Sequence, residues 1–194
     1  DQNHMVDRAV AHRAGLGWYG RSSLLLLPDA GSWFVLGSVV TDAPLEPDPL
    51  FEGRICDRCM ACVRECPIGA ISGTETVKIT VAGRELEWGR LAEWQCFHAY
   101  MGSVKETNPF VPLDAFAELP DGDKILRGEK TLTPAEVLQV QAILRRYYAN
   151  SVGYNSAVCG GRGCLRACMV HLEQRGVLTR RFEAPFRTRK PWRL

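Results

Sequence analysis

With 194 residues, the chain is long enough for one ordinary domain or two small ones. Its 46% hydrophobic and 24% charged content is that of a globular protein with a real core and excludes a disordered or fibrous class. A formal net charge of +2 is nearly neutral and argues weakly about partners, and no membrane partner is expected, since the apolar run Leu24 to Leu27 ends at Pro28.

The chain opens at Asp1, runs straight into a helical pattern and is expected to be a segment of a longer protein, so a missing leader carries no information. Val6 to Arg13 predicts a short helix stopped by Gly15. GLGWYG follows, with three glycines in six residues, a density that suits a backbone in close approach to something else. Ser32 to Thr41 (SWFVLGSVVT) is aromatic and β-branched and predicts a buried strand. APLEPDPLFEG is a proline-rich connector, which places a subdomain boundary at about residues 43–54. A cysteine segment comes next, and Thr76 to Trp88, with Ala82-Gly83 near its middle, predicts a β-hairpin. Residues 107–132 read mostly as loop. Thr133 as N-cap and Pro134 at the first helical position open a helix with apolar Val137, Leu138, Val140, Ile143 and Leu144, running to about Asn150. A glycine-rich cysteine loop and a helix near Cys164 to Gly176 follow, and residues 180–194 are basic and irregular.

The stretch ICDRCMACVRECPIGAI (55–71) carries Cys56, Cys59, Cys62 and Cys66, followed by Pro67. This C-x2-C-x2-C-x3-C-P spacing is the bacterial ferredoxin pattern for a 4Fe–4S cluster, and in two-cluster ferredoxins its fourth cysteine ligates the other cluster. If Cys56, Cys59 and Cys62 hold one cluster, it lacks a fourth ligand; if Cys66 serves another, that one lacks three. Four cysteines remain to meet the need: Cys96, Cys159, Cys164 and Cys168. By the same crossover, Cys168 completes the first cluster, and Cys96, Cys159 and Cys164 join Cys66 on the second. Two clusters of roughly two negative charges each would turn the loaded protein slightly acidic.

Three plainer readings compete. A disulfide framework could use all eight cysteines but does not need this spacing, and four thiols in eleven residues would crowd. Zinc prefers two C-x-x-C pairs set far apart. Buried unpaired thiols would explain Cys96 alone, not the full count.

A ferredoxin has no need of residues 1–45. The run DRAVAHRAGLGWYGRSSLLLLPDAGSWFVLGSVVTDAPL (7–45) closely resembles the catalytic core of the epoxyqueuosine reductases, cobalamin-dependent enzymes of queuosine-tRNA maturation. That family reads approximately ERA-x-A-x-RAGLGW-x-GKN-x-LL-x-P-x-x-GSWF-x-LGE-x-x-T. The first cysteine motif, the lone Cys96 and the second cysteine segment also sit where the family has them. Reductive dehalogenases share the architecture of cobalamin beside two 4Fe–4S clusters. The resemblance implies an α+β fold: part of a nitroreductase-like α/β cobalamin-binding core in residues 1–45, then a ferredoxin-like double-cluster domain in residues 46–194 with a basic tail. It implies electrons passing through both clusters to a cobalamin that reduces the substrate, with Gly15, Gly17, Trp18, Gly20, Ser32 and Trp33 at the corrinoid. It places the family's proton-donating aspartate at Asp1, six residues before Asp7. It further implies a reduced ferredoxin- or flavodoxin-type donor, a tRNA substrate and a cytoplasmic location.

Departures from the family pattern are visible. Gln2, Asn3 and His4 follow Asp1, Arg21 stands for the lysine of GKN, Ser38 for the glutamate of LGE, and the second cysteine segment closes CMVHLEQRG. Two other functions stay open: a ferredoxin-type electron carrier with two clusters and no corrinoid, and a reductive dehalogenase-like enzyme. For the glycines the plainer reading is a helix stop and turn. For Trp33 and Phe34, which point to opposite sides of a strand, it is core packing for at least one. His4 and His98 read as ordinary hydrogen-bonding histidines, His4 with a second reading as acid beside Asp1. His171, one turn after Cys168, is placed either near a cluster sulfur or in solvent. Residues 175–194 hold seven Arg/Lys against one acidic residue. They read as a phosphate-contacting or donor-contacting tail, or as a solvated one packed by Trp192.

Overall fold

The computed structural model describes residues 7–147 and 159–180. The expectations placed on Asp1, His4, Trp192 and most of the basic tail lie outside these residues. In chain order the described elements are α1 (Asp7–Arg13), β1 (Trp18–Tyr19), β2 (Leu25–Leu26), α2 (Ala61–Arg64), β3 (Ile71–Val81) and β4 (Arg84–Leu91). Then come α3 (Glu93–Tyr100), α4 (Gly122–Arg127), α5 (Pro134–Tyr147), α6 (Cys159–Arg162) and α7 (Cys164–Arg175). The fold mixes helices with two small antiparallel sheets, β1–β2 and β3–β4. No helix among the described residues is long and apolar enough to cross a membrane.

Helix α1 carries Asp7 in its first turn and His12 and Arg13 in its last, each sign where the helix dipole favours it. It ends in a Schellman motif: the Leu16 N–H donates to Ala11 O and the Gly15 N–H to His12 O, with Gly15 left-handed at φ 75°. The β3–β4 hairpin turns on Ala82 and Gly83, both at positive φ (49° and 78°), the two-residue turn whose twist matches the strands. The ladder breaks between the pairs Ile71–Leu91 and Thr76–Gly89. Arg21 fills the break, donating to Ser72 O and Glu75 O while its own carbonyl accepts the Gly89 N–H.

The structure differs from the sequence reading in several places, and helices α2, α3 and α6 were not read from it. Residues 33–41 form no strand: Phe34 and Leu36 pack on a core of Ala11, Tyr19, Leu25 and Leu86, while Val35, Val39 and Val40 stand 95%, 92% and 87% exposed. Strand propensity measures fit to a pleated, packed surface, and among the described residues no ladder partner lies alongside this segment. Within 107–132, read as loop, Gly122–Arg127 is helical because Ile125 and Leu126 anchor in the main core and Gly128 (φ 72°) closes the turn. The two-residue strands β1 and β2 were also not read from the sequence, being too short to show a period.

The largest core joins α3, α4 and α5 through Met101, Phe116, Ile125, Val137, Val140 and Ile143. A smaller one joins residues 7–36 to the hairpin through Tyr19, Leu25, Leu86 and Trp88. A third seats Leu26 with Ile55 and Leu172. The segments on either side of the proline-rich connector therefore share cores. Helix α5 opens with a capping box: the Glu136 N–H donates to Thr133 Oγ1 at 3.3 Å, and the Glu136 carboxylate accepts the Thr133 N–H at 2.8 Å.

Thr133→Ala should lower stability by about 1 kcal/mol, and Phe116→Ala, from the centre of the main core, by about 3–5 kcal/mol; denaturant titration reads both. The Thr133 N–H, then Lys130 and the Thr133 hydroxyl, hold the Glu136 carboxyl down to about 2. A depressed carboxyl contributes stability that is present above its unfolded value of about 4.3 and is lost as pH falls through the folded value. The gap in melting temperature between the native chain and Glu136→Gln should be full at pH 6 and close towards pH 2.

Candidate metal centre

The loop from Cys56 to Cys62 is folded back on itself by two left-handed residues, Arg58 (φ 61°) and Met60 (φ 63°). Side chains there usually avoid this region, and it persists only where the surroundings enforce it. The enforcing contacts are polar. The Asp57 carboxylate accepts the Cys59 N–H at 3.2 Å, Arg64 donates to Cys59 O at 3.0 Å, and Arg54 donates to Cys56 O at 3.3 Å. Helix α2 starts at once after the loop and carries Cys62 inward. It packs on α7, whose Cys168 meets Cys56, Cys59 and Cys62 around one cavity of about 340 Å³, open mouth included.

The remaining cysteines gather elsewhere. Cys66 lies beyond α2, where its sulfur accepts the Ala70 N–H at 3.3 Å. Gly163, between α6 and α7, passes so near this turn that an added Cβ would stand 2.9 Å from Glu65 O and 3.0 Å from the Pro67 ring. Cys159 and Cys164, at the starts of α6 and α7, stand near Cys66 and near Cys96 on α3, against which α6 packs.

Electrostatics traces the same two groups. Burial, then Cys56 and Cys59, pushes the Cys62 thiol up to about 11. Burial, then Cys56, Cys62 and Cys59, pushes Cys168 up to about 12. Burial, then Cys96 and Cys66 with a smaller push from Cys62, takes Cys164 to about 12. Burial raises Cys159 as well, followed by Cys164, Cys96 and Cys66, and raises Cys96, followed by Cys66. All eight thiols are free, so the disulfide framework does not occur. A metal that takes these groups as thiolates must displace their protons.

A single zinc ion holds its ligands at about 2.0–2.3 Å, so its donor atoms crowd one another. Asp57, Cys59 and His171 form the one group among the described residues whose donor atoms all lie within 4.8 Å of each other. No cysteine quartet among the described residues meets that spacing. His171 Nε2 hydrogen-bonds Asp57 Oδ2 at 2.9 Å, and Arg175 Nε stands 3.4 Å from the same oxygen. His98 is fully buried against Ser103 at 2.5 Å, and burial pushes it down to about 4, so it is neutral.

The residues expected at a corrinoid fall in different places. An added Cβ on Gly15 would meet Pro49 O, and one on Gly17 would meet Leu26 O; Gly20 faces the Leu26 side chain. Trp18 stands edge-on to His12, with the Arg84 guanidinium 5.7 Å from its ring centre. Ser32 is buried against the first quartet: its hydroxyl lies 3.1 Å from Leu165 O and also hydrogen-bonds the Cys168 thiol. Trp33 is half-exposed. Trp18, Tyr19 and Arg21 share a cleft with Cys56. Two contributors escaped the sequence reading. Asp57 could have been found from its position two residues before Cys59, the spacing of an Asx turn. Arg21 shows in the sequence only as a departure from a family pattern, and nothing there places it beside the cysteines.

No family model matches the chain, and no solved structure matches it. Among curated proteins it is 38% identical over 131 residues to the epoxyqueuosine reductase of Yersinia pestis, 63% of this chain and 31% of that protein. It is 46% identical over 78 residues to that of Escherichia coli, 40% of this chain and 20% of that protein. It is 44% identical over 73 residues to that of Listeria monocytogenes, 38% of this chain and 19% of that protein. The chain thus spans less than a third of the length of these relatives. Over the stretch that it shares with them, the chain is similar to the epoxyqueuosine reductases.

Proposed function

We propose that the chain is the iron–sulfur part of an oxidoreductase of the epoxyqueuosine reductase type. Cys56, Cys59, Cys62 and Cys168 would hold one 4Fe–4S cluster, and Cys66, Cys96, Cys159 and Cys164 a second. The observation that carries this reading is the exchange of ligands. The last cysteine of the upstream motif is coupled to downstream thiols, and the last cysteine of the chain is coupled to upstream ones. A two-cluster ferredoxin motif exchanges its fourth cysteine in the same way. The donor set fits: eight free thiols, a cavity walled by the first four, and a backbone N–H on the Cys66 sulfur. Bound clusters supply one-electron transfer. The protein's part is to keep the sulfurs apart from solvent and fixed, which Asp57, Arg54 and Arg64 do by pinning the backbone of the cysteine loop.

The finer architecture follows from the resemblance. Residues 1–45 are read as part of a nitroreductase-like corrinoid core, and residues 46–194 as a ferredoxin-like domain. A cobalamin would supply the cobalt centre that reduces the substrate. The part of this chain best placed to adjoin it is the cleft of Trp18, Tyr19 and Arg21, which opens beside Cys56. Asp1 remains the candidate proton donor, a tRNA bearing the queuosine precursor the candidate substrate, a ferredoxin- or flavodoxin-type protein the candidate electron donor, and the cytoplasm the expected location. The second reading, an electron carrier without corrinoid, draws on the glycines: Gly15 and Gly17 give their room to this chain's own backbone.

Anaerobic reconstitution should load roughly eight irons per chain; a plateau near four would defeat the two-cluster reading. Cys168→Ser and Cys159→Ser should each alter a different one of two paramagnetic resonance signals of the reduced protein. If both changes disturb the same signal, the assignment of ligands is wrong. Added cob(II)alamin should show the absorbance of the form whose lower base is detached; unchanged free-cofactor absorbance favours the carrier.

A further inference from the structure

Arg21 is a charged side chain in an unusual position. It is 8% exposed, and among the described residues no carboxylate lies within salt-bridge distance of it. One terminal nitrogen donates to Ser72 O at 2.8 Å and Glu75 O at 3.2 Å, while Nε is buried with no hydrogen-bond partner. Gly89 makes room for it, since a Cβ there would stand 2.8 Å from Nε. A buried cation without a counter-charge is costly, and neutral carbonyls offset only part of that cost. The missing anion has an evident place. Arg21 lines the cavity walled by Cys56, Cys59, Cys62 and Cys168, and it also lines the outer cleft that Cys56 shares with Trp18.

We propose that Arg21, a buried cation lining the cavity walled by Cys56, Cys59, Cys62 and Cys168, is the positioning residue by which the N-terminal segment tunes the first cluster and raises its reduction potential. The inference rests on the reading that this quartet holds a 4Fe–4S cluster. The physics is that of charge in a weakly screened interior. Reduction adds one electron to a cluster that with its thiolates already carries roughly two negative charges. A fixed positive charge nearby stabilises the reduced form more than the oxidised one. Charge and burial are among the levers that set cluster potentials. One electron enters from an external reductant, and no bond or proton is exchanged. The cation that acts on Cys96 of the second quartet is Arg8, a half-buried residue bonded to Ser23. Arg21 also closes the break in the β3–β4 ladder, so the test needs a readout that a purely structural role would leave alone.

The test is a potentiometric titration of the anaerobically reconstituted chain with dithionite, followed by electron paramagnetic resonance. Cys168→Ser identifies the signal of the first cluster. Arg21→Gln and Arg21→Met should lower the midpoint of that signal and leave the second signal in place. Arg21→Lys, which keeps the charge, should return it towards the native value. Should the native chain take up no iron, or show no cubane signal, the cluster reading itself fails. If the native chain loads both clusters and the neutral variants shift neither midpoint, or shift both alike, the role of Arg21 is overturned and the cluster reading stands. Loss of iron from both neutral variants would make Arg21 a folding residue and overturn the proposal equally.

Discussion

The packing of α2 against α7 is the contact on which the rest of the structure depends. Each helix carries a cysteine near its start and continues from a cysteine loop, so one interface decides which thiols meet. Chain entropy favours pairing near neighbours in sequence, and Cys66 lies closer in sequence to Cys62 than any other cysteine does on its downstream side. The fold overrides that preference. Pro67 turns the chain away after Cys66, Gly163 lets the second segment pass within van der Waals reach of that turn, and Cys168 crosses to the first loop. On the proposed ligand assignment the two groups are mutually dependent, because each takes a residue from the other's segment. Loss of the helix interface would open both.

The N-terminal segment is tied to the same interface. Gly31, at φ 58°, brings the backbone so near α7 that an added Cβ would stand 2.6 Å from Met169 Sδ. Next to it, Ser32 reaches Leu165 O and the Cys168 thiol. Thr179, just past α7, returns a backbone bond to Pro28 O at 2.9 Å. Residues 7–36 thus cap the first quartet on one side while the hairpin holds them from the other through Tyr19, Leu86 and Trp88. GSWF in the sequence therefore has a local cause that its resemblance did not reveal: Gly for close approach to α7 and Ser for the buried hydrogen bonds.

What the sequence disclosed followed the reach of its signals. The Ala82-Gly83 turn, the Thr133-Pro134 helix start and the stop at Gly15 are local, each fixed by chemistry within a few residues, and each is found where it was read. The strand expected at 32–41 was not, because a strand is a property of two segments, and propensity describes one. Arg21 was invisible for a related reason. Its neighbours, Ser72, Glu75, Gly89 and Cys56, come from three later stretches of chain, and no periodicity links them. Asp57 was legible in principle, being an Asx turn two residues long, but the cysteines around it drew the whole reading.

A chain with a formal charge of +2 has few cations to spare, and their placement is informative. Several of its arginines donate to carbonyl oxygens: Arg8 to Ser23, Arg21 to Ser72 and Glu75, Arg54 to Cys56, Arg64 to Cys59, Arg84 to Phe51. A guanidinium bound to a carbonyl keeps most of its charge uncancelled, whereas one paired with a carboxylate does not. Two of these carbonyls, Cys56 O and Cys59 O, belong to the cysteine loop itself. Two effects follow from one contact: the donor groups fix the backbone that aims the sulfurs, and the positive charge remains available to the anionic group those sulfurs would hold. Asp57 shows the converse. Itself a loop residue, it is hydrogen-bonded to His171 and ion-paired with Arg175. At the rim of the first quartet, Arg54 and Arg64 bring positive charge through hydrogen bonds to the loop backbone, while Arg58 and Arg175 are paired with Glu87 and Asp57.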